Sequence, residues 1–166
     1  MQLAKLIALS VPYTQYSVHL KFKIITKFKI MSIINSSKAP EPVGLYPHAR
    51  RVGNLLFLSG VGPREKGTKK IPGVELDENG NIVSYDIETQ CRSVFNNVRM
   101  ILEEAGSSWE QLVDVTVFLT NMKDDFKKYN EIYAEYFKDN LPCRTTCEIN
   151  CLPTPIAIEL KCIATI

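Results

Sequence analysis

Histidine is scarce in this chain: only His19 and His48 occur in 166 residues. With a single histidine, His48, in the body, a Ser-His-Asp or Cys-His arrangement is disfavoured, and a zinc site is short of its commonest nitrogen ligand. Long apolar runs are missing too. The densest early stretch, Leu6 to Leu9, is interrupted by Ser10 and Pro12, far short of the ~20 residues a membrane-spanning helix needs. No glycine-rich loop leads into Lys-Ser/Thr and no dinucleotide fingerprint is present, so a nucleotide cofactor is not indicated. Acidic residues are absent from positions 1–40, which hold six lysines, so the other 126 residues carry 14 bases against 18 acids. The net charge of +2 therefore conceals a mildly acidic body with no electrostatic footprint for nucleic acid.

What is present is an ordinary globular composition, 45% hydrophobic and 23% charged, sufficient for one domain with a core. Residues 1–30 stand apart, basic, acid-free and glycine-free, with a near repeat in Lys21-Phe22-Lys23-Ile24 and Lys27-Phe28-Lys29-Ile30. They read as a targeting peptide, a membrane-surface segment or an extension ahead of Met31. Ser36-Ser37-Lys38-Ala39-Pro40-Glu41-Pro42 has linker composition, which predicts an extension and linker over 1–42 and a domain over 43–166.

Within the domain, Asn54 to Ser59 predicts a buried strand between two glycines, and Asn79-Gly80 a turn joining Val74–Leu76 to Ile82–Ser84. Ile87, Cys91, Val94, Phe95, Val98, Ile101, Leu102 and Ala105 recur at helical spacing and Gly106 stops the helix. Val113 to Leu119 alternates as a strand. A second helix, capped by Asp124 or Asp125, carries the stripe Phe126, Tyr129, Tyr133, Tyr136 and Phe137. Alternation over 144–151 and again over 156–164 predicts two further strands, expected to be antiparallel neighbours. The fold class is α+β, with two helices packed on one face of a sheet, and oligomerisation is the simplest cover for the other face.

Cys143, Cys147 and Cys151 would meet on a helix, but on a strand they lie ~13 Å apart, too far to share a metal, so no metal site is expected. An odd, dispersed set of thiols suits a reducing compartment, hence a cytoplasmic location, or a mitochondrial one if the N-terminal segment is a targeting peptide. Two charges on apolar strands carry the chemical interest: Arg144 and Glu159, fifteen residues apart. They read either as a structural ion pair or as a functional pair. In the second case the guanidinium holds a carboxylate bidentately and the glutamate positions or deprotonates water, which suits hydrolysis of a small carboxylate-bearing substrate. Arg50, Arg51 and Arg64 could add anion contacts.

Leu58-Ser59-Gly60, the Asn130 to Phe137 run, Pro142-Cys143-Arg144-Thr145-Thr146-Cys147-Glu148, and Leu152-Pro153 followed by Ile158-Glu159-Leu160 resemble the RidA (YjgF-like reactive intermediate deaminase) family over about residues 43–166. The resemblance implies a chorismate-mutase-like protomer, a homotrimer with clefts between subunits, and imine hydrolysis without metal or cofactor. It also implies that Arg144 holds the substrate carboxylate, that Glu159 and a backbone carbonyl near Thr146 orient water, and that Tyr46, Gly60 and Asn130 line the cleft. Within the family, the segment Tyr46 to Gly53 and the long stretch from Arg64 to Asp86 look like the 2-aminomuconate deaminase branch, which acts in aromatic amino-acid catabolism. A dicarboxylate substrate wants a second cation, for which Arg64 or Arg51 is the sequence-level candidate. Two departures separate the chain from the general members: Thr146 where Cys is frequent, and Gly44-Leu45-Tyr46-Pro47-His48 where Gly-Pro-Tyr-Ser-Gln is usual. The alternatives are a broad enamine/imine deaminase and a non-enzymatic trimeric metabolite-binding protein.

Overall fold

The computed structural model describes residues 31–166, so the basic segment 1–30 with its near repeat and His19 lies outside the described residues. Six strands form one sheet: β1 Met31–Ile34, β2 Ala49–Val52, β3 Leu55–Leu58, β6 Leu112–Leu119, β7 Cys143–Glu148 and β8 Ile158–Thr165, in the spatial order β1-β2-β3-β8-β6-β7. A separate hairpin joins β4 Val74–Leu76 to β5 Ile82–Tyr85, its turn using Gly80 at φ +83°. Two helices, α1 Ile87–Glu104 and α2 Met122–Phe137, pack against one sheet face.

Local chemistry accounts for these elements. Asp86 caps α1 by accepting from the backbone N–H groups of Glu88 and Thr89, and the chain leaves the helix through Gly106 at φ +82°, a left-handed conformation that favours glycine. The stripe read from the sequence is the buried one. Phe95 lies in an aromatic nest, its ring centroid 4.9 Å from Tyr136 and 5.7 Å from both Trp109 and Phe137. Facing it across the sheet are Val115, Val117, Leu119, Ile158, Leu160 and Cys162, all buried.

The structure corrects four expectations. The cap of α2 is Asn121, whose side-chain oxygen accepts from Asp124 N–H, while Asp125 is drawn inward to accept a 2.8 Å hydrogen bond from the Tyr85 hydroxyl. Val113 does not share the core face with Val115, because a bulge between Leu112 and Asp114 shifts the β6 register and leaves it 41% exposed. β7 and β8 are not neighbours. β7 leaves α2 and pairs parallel with β6, as a strand-helix-strand crossover requires, and β8 returns antiparallel on the other side of β6.

The fourth concerns the linker. Backbone N–H of Ser36 donates to His48 Nδ1 at 3.0 Å, His48 Nε2 donates to the Pro40 carbonyl at 2.9 Å, and both Ser36 and Ser37 donate to the Glu104 carboxylate. Ala39 is in the core at 1% exposure. The ordered fold thus begins upstream of Val43. Its Ser/Pro segment is a strap held by side chains from distant parts of the chain, which composition cannot reveal.

Candidate active site

Alternation along the strands sorts the sheet into a helix-covered face and an open one. Ile158, Leu160, Cys162 and Ala164 of β8 point to the helices, so Glu159, Lys161 and Ile163 point the other way. On that open face lies a cleft of ≈ 480 Å³ whose lining includes Tyr46, Arg50, Gly60, Arg64, Glu159 and Lys161. Gly60 is required by closeness: a Cβ there would fall 2.7 Å from the Glu159 Cδ, so only a glycine leaves room for that carboxylate. Desolvation by the cleft walls raises the Glu159 carboxyl above its ordinary value, and the Arg64 guanidinium partly opposes this.

The cleft wall is built by hydrogen bonds from beneath. Asn97, buried on α1, donates to the carbonyls of Gly62 and Arg64, both at 2.9 Å, and Arg64 Nη2 donates to the Glu41 carbonyl at 2.6 Å. Ser59 Oγ donates to the Pro47 carbonyl at 2.6 Å, which ties the Tyr46-bearing segment to the strand beside Glu159. Asn97 went unnoticed in the sequence, although a polar residue beside Val98 on the apolar stripe is the mark of a buried anchor.

Arg144 belongs to a second group. It pairs in register with Val115 and Thr146 with Val117, both core residues, so these side chains leave β7 on the helix-covered side. The Arg144 guanidinium donates from Nη1 to Asn130 Oδ1 at 2.8 Å and sits 4.6 Å over the Tyr133 ring and 5.7 Å from that of Tyr129. Nearby, the Tyr129 hydroxyl and Thr146 Oγ1 are buried with no hydrogen-bond partner among the described residues. Burial pushes the Tyr129 phenol up, with Arg144 opposing.

Within one protomer the expected residues thus divide into Tyr46, Gly60, Arg64 and Glu159 in the cleft and Arg144, Asn130 and Thr146 at the β7 edge. Arg51 joins neither group: it shares register and face with buried Leu56, and its Nε donates to the Gly53 carbonyl at 2.9 Å. Arg50 and Lys161 take the place in the cleft that Arg51 was expected to fill. Among the described residues all five cysteines are free thiols, and burial pushes those of Cys91 and Cys162 up to about 12.

Residues 36–166 match the family described as Endoribonuclease L-PSP. A RutC family protein of Pyrococcus abyssi is 40% identical over 132 residues, covering 80% of this chain and 94% of its own. Reactive Intermediate Deaminase A, chloroplastic, of Arabidopsis thaliana is 37% identical over 134 residues, 81% of this chain and 65% of that protein. This chain belongs to the RidA/YjgF family. The architecture agrees: Escherichia coli TdcF with bound serine superposes with a TM-score of 0.70 at 29% identity, covering 81% of this chain and 98% of that one. This RidA-family chain shares with that serine-bound relative one scaffold, two helices on a mixed sheet.

Proposed function

We propose that this RidA-family protein is a hydrolytic deaminase that releases ammonia from an enamine or imine carboxylate, with 2-aminomuconate or a similar dicarboxylate as the substrate, in a homotrimer whose sites lie between subunits. The observation that carries the reading is Glu159: a half-buried carboxylate set against Gly60 at the wall of an open cleft, with cationic side chains around it and no hydrogen bond of its own among the described residues. Such a group is placed to take a proton from water.

The chemistry then balances simply. The enamine tautomerises to the imine; Glu159 accepts a proton as water adds its oxygen to the carbon of the C=N bond and delivers that proton to the nitrogen; the carbinolamine then collapses, its hydroxyl proton passing to the nitrogen as the C–N bond breaks, so that ammonia leaves and the keto acid remains. Arg144, its guanidinium levelled by Asn130 and Tyr133, holds the substrate's 1-carboxylate. Thr146 contributes its backbone carbonyl to orient the water. The opposed directions of Arg144 and Glu159 support the trimeric arrangement, in which one subunit presents its β7 edge to the open face of the next. All five thiols being free supports a reducing compartment such as the cytoplasm, with residues 1–30 as the segment that would carry an organellar address.

Two other readings have specific support. The Arabidopsis relative's name favours a general clearance of reactive enamines and imines, and serine bound to TdcF favours metabolite binding without turnover. Ribonuclease chemistry has less: His48, the only histidine among the described residues, has both ring nitrogens engaged by Ser36 and Pro40. Ammonia release from enzymatically generated 2-aminomuconate and from the imine of a neutral amino acid, with wild type and Arg144→Ala, separates the three. Turnover of the dicarboxylate that Arg144→Ala abolishes supports the proposal; turnover of the neutral imine alone supports the general deaminase; binding without turnover of either supports the third.

A further inference from the structure

The cleft holds more positive charge than a monocarboxylate needs. Lys161 follows Glu159 by two residues on β8 and so leaves the same face ~7 Å away. Arg50 leaves that face from β2, in register with Phe57, which pairs in turn with Ile163. Both line the cleft, and among the described residues neither lies within salt-bridge distance of a carboxylate, whereas Arg92, Lys128 and Lys70 are all paired. Arg64, by contrast, already spends one nitrogen on the Glu41 carbonyl.

We propose that Lys161 and Arg50 form a second anion subsite, beyond Glu159 from the reacting carbon, which binds the distal carboxylate of a dicarboxylate substrate. This rests on the deaminase reading and assigns its substrate class. In a six-carbon 2-amino dicarboxylate the distal carboxylate lies four bonds from the carbon that water attacks, roughly 5 Å at ~1.5 Å per bond in zigzag. The backbone step from Glu159 to Lys161 is ~7 Å, and the flexible four-carbon stem of Lys161 can carry its ammonium across the remaining ~2 Å. Arg50, with its planar fork, supplies the bidentate contact that a lysine alone cannot.

The test uses two six-carbon keto acids, 2-oxoadipate and 2-oxohexanoate, titrated calorimetrically into the full-length protein. Ammonia release from the corresponding imines, generated in place from 2-aminoadipate and norleucine by amino-acid oxidases, is followed in parallel. Wild type should bind the dicarboxylate about ten-fold more tightly, the effect of one charge-assisted contact. Arg50→Gln/Lys161→Gln should bring the affinity ratio near one, and Arg50→Glu/Lys161→Glu should invert it. A wild-type ratio of one, a ratio that the variants leave unchanged, or one that falls only because sedimentation shows the assembly dissociating would overturn the subsite. Because binding does not need turnover, a preserved ratio without ammonia counts against deamination alone, and ammonia without a ratio counts against the subsite alone.

Discussion

Arg144 and Glu159 project from opposite faces of one sheet. Arg144 is level with Val115 and stands over Tyr133 on the helix side, while Glu159 is level with Phe118 and opens onto the uncovered side. They are also two strands and three residues apart, roughly 14 Å between backbones. A small substrate cannot reach both within one protomer, so a site that uses them together must draw them from two copies.

Replacing Glu159 by Gln should abolish ammonia release while stabilising the fold at neutral pH. The folded-state pKa of Glu159 is raised by desolvation, so its relative stabilisation is complete below the unfolded value and is lost as pH rises through the folded one. Melting curves of wild type and Glu159→Gln should therefore converge in acid and separate toward neutrality, with the variant higher. Wild-type activity should rise over the same window as the carboxylate ionises. A variant that melts lower at pH 7 would contradict the desolvated environment described for this carboxylate.

Gly60→Ala should damage catalysis and spare the fold. The added methyl meets only the carboxylate end of Glu159, a flexible group that can swing aside, so the misplacement falls on the proton acceptor and not on the backbone. We expect kcat to fall by at least ten-fold, about 1.4 kcal/mol in the barrier, with circular dichroism unchanged. Wild-type kcat in a folded variant would show that the position of Glu159 does not matter.

Asn130→Ala should raise KM more than it lowers kcat, since the amide oxygen accepts from the Arg144 guanidinium and so holds the carboxylate-binding group level. A loss of one hydrogen bond to a charged group, about 1.5–3 kcal/mol, corresponds to a KM increase of ten-fold or more. Arg144→Lys should fail to restore binding, because an ammonium cannot make the fork or lie flat on Tyr133. Steady-state kinetics on a single substrate decide both points.

His48→Ala should release the strap that precedes β2. Two hydrogen bonds, to Ser36 and Pro40, disappear, at a cost of about 1–3 kcal/mol, and limited proteolysis should cut earliest between residues 34 and 43. Cleavage unchanged from wild type would mean that the strap is held by Glu104 and Ala39 alone.

Much of the fold was legible because periodicity records which face is buried. The apolar stripe of helix α1 and its stop at Gly106 read correctly, and the alternation of β8 holds from Ile158 on, although Ile156 and Ala157, placed in that strand from the sequence, precede it. What escaped was set by partners distant in sequence. The bulge that turns Val113 outward depends on pairing with β8, the cap at Asn121 depends on where Asp125 is pulled by Tyr85, and the strap depends on Glu104. The site was half legible. Glu159 and Arg144 stood out as charges on apolar strands, but adjacent Arg50 and Arg51 could be told apart only once the register with Phe57 and Leu56 fixed which of them faces the cleft.

If catalysis draws Arg144 from one copy of the chain and Glu159 from another, mixing inactive subunits should restore it. Arg144→Ala and Glu159→Gln should each be inactive alone. Unfolded together in equal amounts and refolded, they should regain about a quarter of wild-type ammonia release, the share of interfaces at which two intact halves meet by chance. Mixtures as inactive as either parent, from assemblies shown by mass to contain both variants, would contradict the account.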